Sequence, residues 1–234
     1  MATQTLQAHR DRVLLRVLRD NGLSLALLAL FLVFLVGQAL AGHRHYNEEQ
    51  REHGQPSVSL TQYLRSGEFL EATAENWESE FLQMAAYVLF TSFLFQRGSA
   101  ESKRLDGPEA VDRDPRRARH RRDAPWPVRR GGWWLSLYSN SLSLALLLLF
   151  GASFGVHVLA GAHAYNAAEL AHGGHEISVL EYLGSAQFWF ESFQNWQSEF
   201  LAIAVMVVFS IFLRQRGSPE SKPVDAPHAQ TGAE

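Results

Sequence analysis

The chain has no cysteine. Disulfides, thiol catalysis and thiolate metal sites are therefore excluded. Charge is missing from four long stretches, residues 23–42, 81–95, 142–161 and 200–213. Lysine and arginine are also missing from the whole segment between the last two of these. Nothing of the HExxH type is present, and no sequence feature calls for a cofactor. Mean hydropathy lies near zero, as in a soluble protein, but that average conceals a segregation of apolar from charged residues. Two of the uncharged stretches have about 20 residues, enough to cross a bilayer core at about 1.5 Å rise per residue. Soluble core helices are seldom apolar all round over such a length. The expected class is an all-α integral membrane protein, and its first partner is the lipid bilayer.

Arg10, Arg12, Arg16 and Arg19 precede the first apolar run, which ends in Ala39-Leu40-Ala41. That is also the pattern of a secretory signal. The same Leu-Ala-Gly ending recurs inside the chain at Leu159 to Gly161, so the first run is read as a retained span.

Residues 21–103 align without a gap on residues 140–222 at an offset of 119, and 39 of the 83 pairs are identical. This is an internal duplication. Each copy holds an apolar helix, a loop of about 35 residues and a second apolar helix. The expected fold is four transmembrane helices arranged as two two-helix repeats of the same orientation. The spans are placed at about 23–42 and 77–95 in repeat one (21–103), and at about 142–161 and 196–214 in repeat two (132–222). An even number of spans per repeat places a pseudo-two-fold axis along the membrane normal. Residues 1–20 form an N-terminal amphipathic segment, 104–131 a linker and 223–234 a tail.

The positive charges are unevenly distributed. The N-terminal segment carries four Lys and Arg residues, the segment 96–133 eleven and the C-terminal end three, whereas the two intra-repeat loops carry three and none. The totals are 18 against 3, which puts both termini and the linker in the cytoplasm and both loops outside. The linker is rich in Pro, Asp and Arg, lacks apolar periodicity and is expected to be disordered. Its basic run, bounded by Arg113 and Arg122, could meet anionic lipid headgroups. Its simplest reading is positive-inside charge on a tether, and no nucleic-acid partner is expected. In DRVLLRVLRD, residues 11–20, the arginines share one helical face, as in an interfacial helix. Trp133 and Trp134 stand at the equivalent place in repeat two as interface anchors.

The outward loops hold four serines before short apolar turns, Ser59, Ser66, Ser178 and Ser185, which are expected helix N-caps. Each loop thus contains one short interfacial helix and the start of a longer one. The spellings HRH and HGGHE make His43, His45, His172 and His175 candidate metal ligands. Only His53 and His172 correspond between the repeats, so exposed polar histidines are the plainer reading and no metal site is assigned.

NWESEFL at 76–82 and NWQSEFL at 195–201 are the same register of one duplicated helix entry. The apolar run that follows Glu80 spans about 22 Å of helix, short of the roughly 30 Å core. The motif must supply the remainder, which draws Glu80 and Glu199 about one turn below the outer boundary. Trp77 and Trp196 then anchor at headgroup level. A carboxylate at that depth faces the bundle interior. Asn76 and Asn195, four residues earlier, share that face, and Gln38 and His157 stand at similar depth on the first spans. Glu80, Glu199, Asn76, Asn195, Gln38 and His157 form the candidate polar or ion site. Such residues also offset helix dipoles and tie membrane helices together without any ligand. At the inner end, QRGSAESK and QRGSPESK read as helix stops, with Gly98 and Gly217 at left-handed C′ positions and Arg97 and Arg216 on the C-terminal dipole.

The motifs NWESEFLQ, YNEEQ, QRGSAESK, PWPVRRGG and SAQFWFESFQNWQSEFL resemble a family of small bacterial membrane proteins classed only as a domain of unknown function. The resemblance covers nearly the whole chain. It implies a bacterial inner-membrane protein with paired repeats, and it brings no activity, cofactor or catalytic residue. YNEEQ becomes YNAAE in repeat two, so any role of Glu48 and Glu49 is not duplicated. The functional expectation is a structural or interaction-type envelope protein without catalysis. A small transporter or channel using Glu80 and Glu199 is the alternative, and an extracytoplasmic metal-binding or enzymatic module using the loop histidines is the second. Short bundles commonly pair about a two-fold axis, which makes a homodimer a candidate assembly.

Overall fold

A computed structural model describes residues 16–232. Arg10, Arg12 and the start of the expected interfacial segment lie outside the described residues, as do the last two residues of the tail. Among the described residues the chain is helical, with no strand. It divides after Phe69 into two compact units.

The first unit contains α1 (Gly22–Glu52), α2 (Leu60–Tyr63) and the opening of α3 (Gly67–Phe93). The second contains the rest of α3, then α4 (Trp126–Arg130), α5 (Gly132–Ser139), α6 (Ser141–Ala171), α7 (Val179–Leu183) and α8 (Ala186–Phe212). The long helices begin and end at the same offset of 119: 22 with 141, 52 with 171, 67 with 186 and 93 with 212.

The matching boundaries have matching causes. Ser59 and Ser178 each accept a hydrogen bond from the amide three residues on, while Gln62 and Glu181 reach back to the cap amide. These are reciprocal capping boxes. Ser66 and Ser185 cap α3 and α8 through the amides of Phe69 and Phe188. All four serines expected as N-caps serve as such.

A second duplicated device fastens each loop to its long helix. The Asn47 side chain accepts from the Val58 amide at 2.7 Å and donates to the Val58 carbonyl at 3.0 Å. Asn166 does the same to Ile177, both bonds at 2.9 Å. One side-chain amide thereby satisfies both polar groups of a loop residue that no ladder or helix would pair. A third device packs the loop tyrosines. Tyr63 and Tyr182 are buried, each with its hydroxyl directly over a helix glycine, Gly42 and Gly161 respectively.

Among the described residues three helices, not the four expected from the sequence, are long and apolar enough to cross a membrane: α1, α6 and α8. The exception is α3. It has the length, but Glu68, Glu71, Glu75, Glu78 and Glu80 all fall in its first half. An acidic residue near a span centre costs roughly 2.5–3.5 kcal/mol on insertion scales. The apolar remainder, residues 81–93, spans about 20 Å, too short for the core. By contrast α8 carries only Glu191 and Glu199. The three qualifying helices leave most of their apolar side chains uncovered, such as Leu23, Phe34, Leu148 and Phe212. Exposed apolar surface on that scale needs a non-aqueous surrounding.

The helix stops differ from expectation. α3 ends at Phe93 and α8 at Phe212, before either Arg97 or Arg216, so neither arginine lies in a last helical turn. Gly98 and Gly217 do have positive φ, both +84°, but within a separate loop. That loop closes on its own serines. The amides of Gln96 and Gln215 donate to Ser102 and Ser221 Oγ at 2.9 Å in both copies. QRGSxESK is therefore a self-bonded loop that follows the helix, rather than a cap on it.

The C-terminal loop folds back onto the first of these turns around Lys222, which is fully buried. Its ammonium donates to the carbonyls of Gly98 (2.5 Å), Gln230 (2.9 Å) and His228 (3.0 Å), with Pro227 at 3.3 Å. Its counterpart Lys103 instead pairs with Asp112 at 2.7 Å, in the linker. Lys222→Met is expected to leave several buried carbonyls unpaired, at about 1–3 kcal/mol for a lost charged partner. Residues 223–231 should then become cleavable in limited proteolysis, while Lys103→Met leaves them protected. Equal protection in both variants would refute the role of Lys222. The linker expected to be disordered contains two single 3-10 turns, Ala110–Asp112 and Pro115–Ala118, and local Arg–Asp pairs. Trp133 stacks on Trp134 at 3.8 Å.

Candidate functional site

In the second unit, Glu71, Glu75 and Glu78 stand at i, i+4 and i+7 on α3 and so share one helical face. That face meets α6 and α8. His157, on α6, is fully buried, and its Nδ1 lies 2.8 Å from Glu78 Oε2. A carboxylate can only accept there, which puts a hydrogen on Nδ1. The other Glu78 oxygen accepts the Trp196 indole N–H at 2.9 Å. Glu78 has no exposed surface, and both its oxygens are occupied. One carboxylate thus ties α3 to α6 and to α8.

Beside this pair lies a second group. Tyr182, on α7, places its hydroxyl 2.9 Å from both Glu71 Oε1 and Glu191 Oε2. A hydroxyl has a single hydrogen to donate, so the two carboxyls share one donor. Burial pushes the Glu71 carboxyl up to about 7, with the Tyr182 hydroxyl opposing and the Glu191 charge reinforcing that shift. Burial, then the charge of Glu71 and the bond to Glu191, push the Tyr182 phenol up as well, so it remains a neutral donor. Glu75 accepts from the Asn195 side-chain amide.

His157 Nε2, the ring's second nitrogen, is buried and has no hydrogen-bond partner. Its nearest oxygen, Glu191 Oε2, is 3.7 Å away, beyond hydrogen-bond range. Phe188, fully buried, packs its ring 4.7 Å from the imidazole and 5.6 Å from the Tyr182 ring. Together with Val158 and Ala162 it forms the apolar core against which the ionic cluster rests. Water is excluded on that side, which strengthens every polar contact in the cluster.

Of the six candidate residues read from the sequence, His157 and Asn195 belong to this cluster. Trp196, expected as an interface anchor, is joined to it through Glu78. Glu80 is exposed and Glu199 half-buried, its backbone carbonyl accepting from Gln83 at 3.0 Å. Asn76 is exposed and bonds back to the Ala72 carbonyl of its own helix. Gln38 is half-buried in the first unit, and Trp77 is exposed. Of the loop histidines, His43 lies 2.8 Å from the Val58 carbonyl, His172 bonds the Ala168 carbonyl, His45 sits beside Glu49 and His175 is exposed. Among the described residues they form no metal-sized grouping.

Glu71, Glu78, Glu191 and Tyr182 were not singled out from the sequence. The first three have no acidic counterpart: Glu71 aligns with Phe190, Glu78 with Gln197 and Glu191 with Ala72. The i, i+4, i+7 acidic face of α3 is the sequence signal for Glu71 and Glu78; Glu191 and Tyr182 carry none.

No curated protein and no solved structure matches the chain. A family model described as Domain of unknown function (DUF6766) matches residues 14–233. With nearly the whole chain matched, the protein belongs to the DUF6766 family.

Proposed function

We propose that the protein is a multi-pass protein of the bacterial cytoplasmic membrane with a structural or interaction role and no catalysis. The observation behind this reading is the uncovered apolar surface of α1, α6 and α8. On insertion scales each Leu, Ile, Phe or Val at a span centre contributes roughly 0.3–0.6 kcal/mol toward membrane insertion, and each of these helices offers many. α3, too acidic to face lipid, is tied to α6 and α8 through Glu78 instead. The eleven basic residues of 96–133 and the three at the C-terminal end place both flanks of the α6–α8 pair in the cytoplasm. The loop between α6 and α8, which then faces outward and is stiffened by its Asn166 clamp and capping box, is the surface offered to partners.

Two measurements test this. The protein should remain in the membrane pellet after alkaline carbonate extraction and enter solution only with detergent. Reporters fused in the linker and at the C-terminus should be active in the cytoplasm. A carbonate-soluble protein, or a C-terminal reporter active only in the periplasm, would refute it. The transporter alternative is tested by Glu80→Gln and Glu199→Gln, which on the structural reading leave ion flux unchanged.

A further inference from the structure

We propose that Glu71, His157 and Glu191 form a binding site for one divalent transition-metal ion of the zinc class, with one ligand each from α3, α6 and α8. One ligand atom from each residue lies within 4.8 Å of the others. Ligands at about 2.0–2.2 Å from a tetrahedral zinc stand ~3.4 Å apart. The 3.7 Å from His157 Nε2 to Glu191 Oε2 is already close to that. Glu71 must close by up to about 1.4 Å on the same estimate, within reach of a small side-chain rotation.

Proximity of acids alone would carry nothing. The imidazole supplies the independent observation. His157 is fully buried, yet its Nε2 has no hydrogen-bond partner and lies 3.7 Å from Glu191 Oε2. A buried ring nitrogen left without a partner is costly in either protonation state, and buried polar atoms are rarely without partners. A metal ion satisfies it. The other ring nitrogen is placed as a metal-binding imidazole requires: Nδ1–H donates to Glu78 at 2.8 Å, the outer-shell carboxylate that fixes tautomer and ring orientation. Glu78 is itself held by the Trp196 indole. The nitrogen and two carboxylate oxygens suit Zn2+ and related ions such as Co2+, and with no cysteine in the chain they do not suit soft thiophilic ions. The Tyr182 hydroxyl lies 2.9 Å from both carboxyls and holds them beside the imidazole.

The duplication fixes the stoichiometry. The positions equivalent to Glu71, His157 and Glu191 are Phe190, Gln38 and Ala72, which cannot rebuild the set. One ion per chain is the consequence.

The test uses the full chain in detergent, stripped with chelator and titrated with CoCl2 and ZnCl2. The expected result is one Co2+ per chain with the visible spectrum of a four- or five-coordinate site, displaced by Zn2+. His157→Gln and Glu191→Gln should each weaken binding by more than about 100-fold. Glu78→Gln should weaken it about 10–100-fold through the outer shell. Glu80→Gln and His172→Gln should not change it. X-ray absorption on the wild-type zinc form gives a readout independent of whether the variants fold: one imidazole, with oxygen completing the shell. Wild-type chain that takes up no metal, a shell with two or more imidazoles, or binding retained in His157→Gln and Glu191→Gln would overturn the site.

Discussion

Replacing Glu78 with alanine is expected to destabilise the protein by about 3–5 kcal/mol, the cost of breaking one side of a buried charged pair. Glu80→Ala, two residues on along the same helix, is expected to stay within about 0.5 kcal/mol, as for other exposed substitutions. The contrast follows from placement. Glu78 has no exposed surface and holds the His157 Nδ1–H and the Trp196 indole N–H on its two oxygens. Glu80 is exposed. Alanine at 78 strands both donors in a water-poor interior and leaves a cavity between α3, α6 and α8. Glu78→Gln keeps an acceptor for one donor and should lie between the two. Reversible unfolding in mixed micelles measures all three. Equal losses at 78 and 80 would mean that the face of α3 is wrongly assigned.

Gly161→Ala is the second large effect. A Cβ there would stand 2.7 Å from both Tyr182 Cε1 and Glu71 Oε1, and nearer still to the Tyr182 hydroxyl. The ring cannot step aside, because Tyr182 is fully buried and packs against Phe188. Overpacking of this kind costs about 1–3 kcal/mol, and it breaks the hydroxyl's contacts as well. Gly155→Ala, six residues earlier on α6, is the control. Nothing lies within 4 Å of a Cβ at Gly155, so the better helix former should stabilise by about 0.5–1 kcal/mol. Opposite signs for the same chemical change on one helix are the expected outcome. Tyr182→Phe, which removes the clashing oxygen, should restore part of the loss in Gly161→Ala. The same arrangement recurs in the first unit, where the Tyr63 hydroxyl lies over Gly42.

These two residues show what was legible in the sequence and what was not. The helices, their serine caps and the 119-residue offset are local or repetitive features, visible as apolar runs and matched spellings. α3 falls short of a span for a local reason too: the turns before Phe81 carry five acids. The ionic cluster was harder to see for the opposite reason. Duplication draws the eye to residues that occur twice, such as Glu80 with Glu199 and Asn76 with Asn195. The acids and the imidazole of the cluster instead stand where the copies differ. His157 replaces a Gln, Glu78 faces a Gln and Glu191 an Ala at the equivalent positions. The pairing of Glu78 with His157 also joins residues 79 positions apart, and no local pattern encodes it. The Asn47 and Asn166 clamps lay between these extremes. Their identity was visible in the alignment, but their partners, eleven residues on, were not.

The pairing of Glu78 with His157 can be measured by a double-mutant cycle using Glu78→Leu, His157→Leu and the two together. Each single variant strands a buried polar partner, whereas the double variant removes both, and replacing a whole buried pair with apolar groups is often close to neutral. The expected result is two costly single variants and a double variant well short of their sum, with a coupling of about 0.5–3 kcal/mol. Additivity within about 0.3–0.5 kcal/mol would show that the two side chains do not meet, and would contradict the site described above.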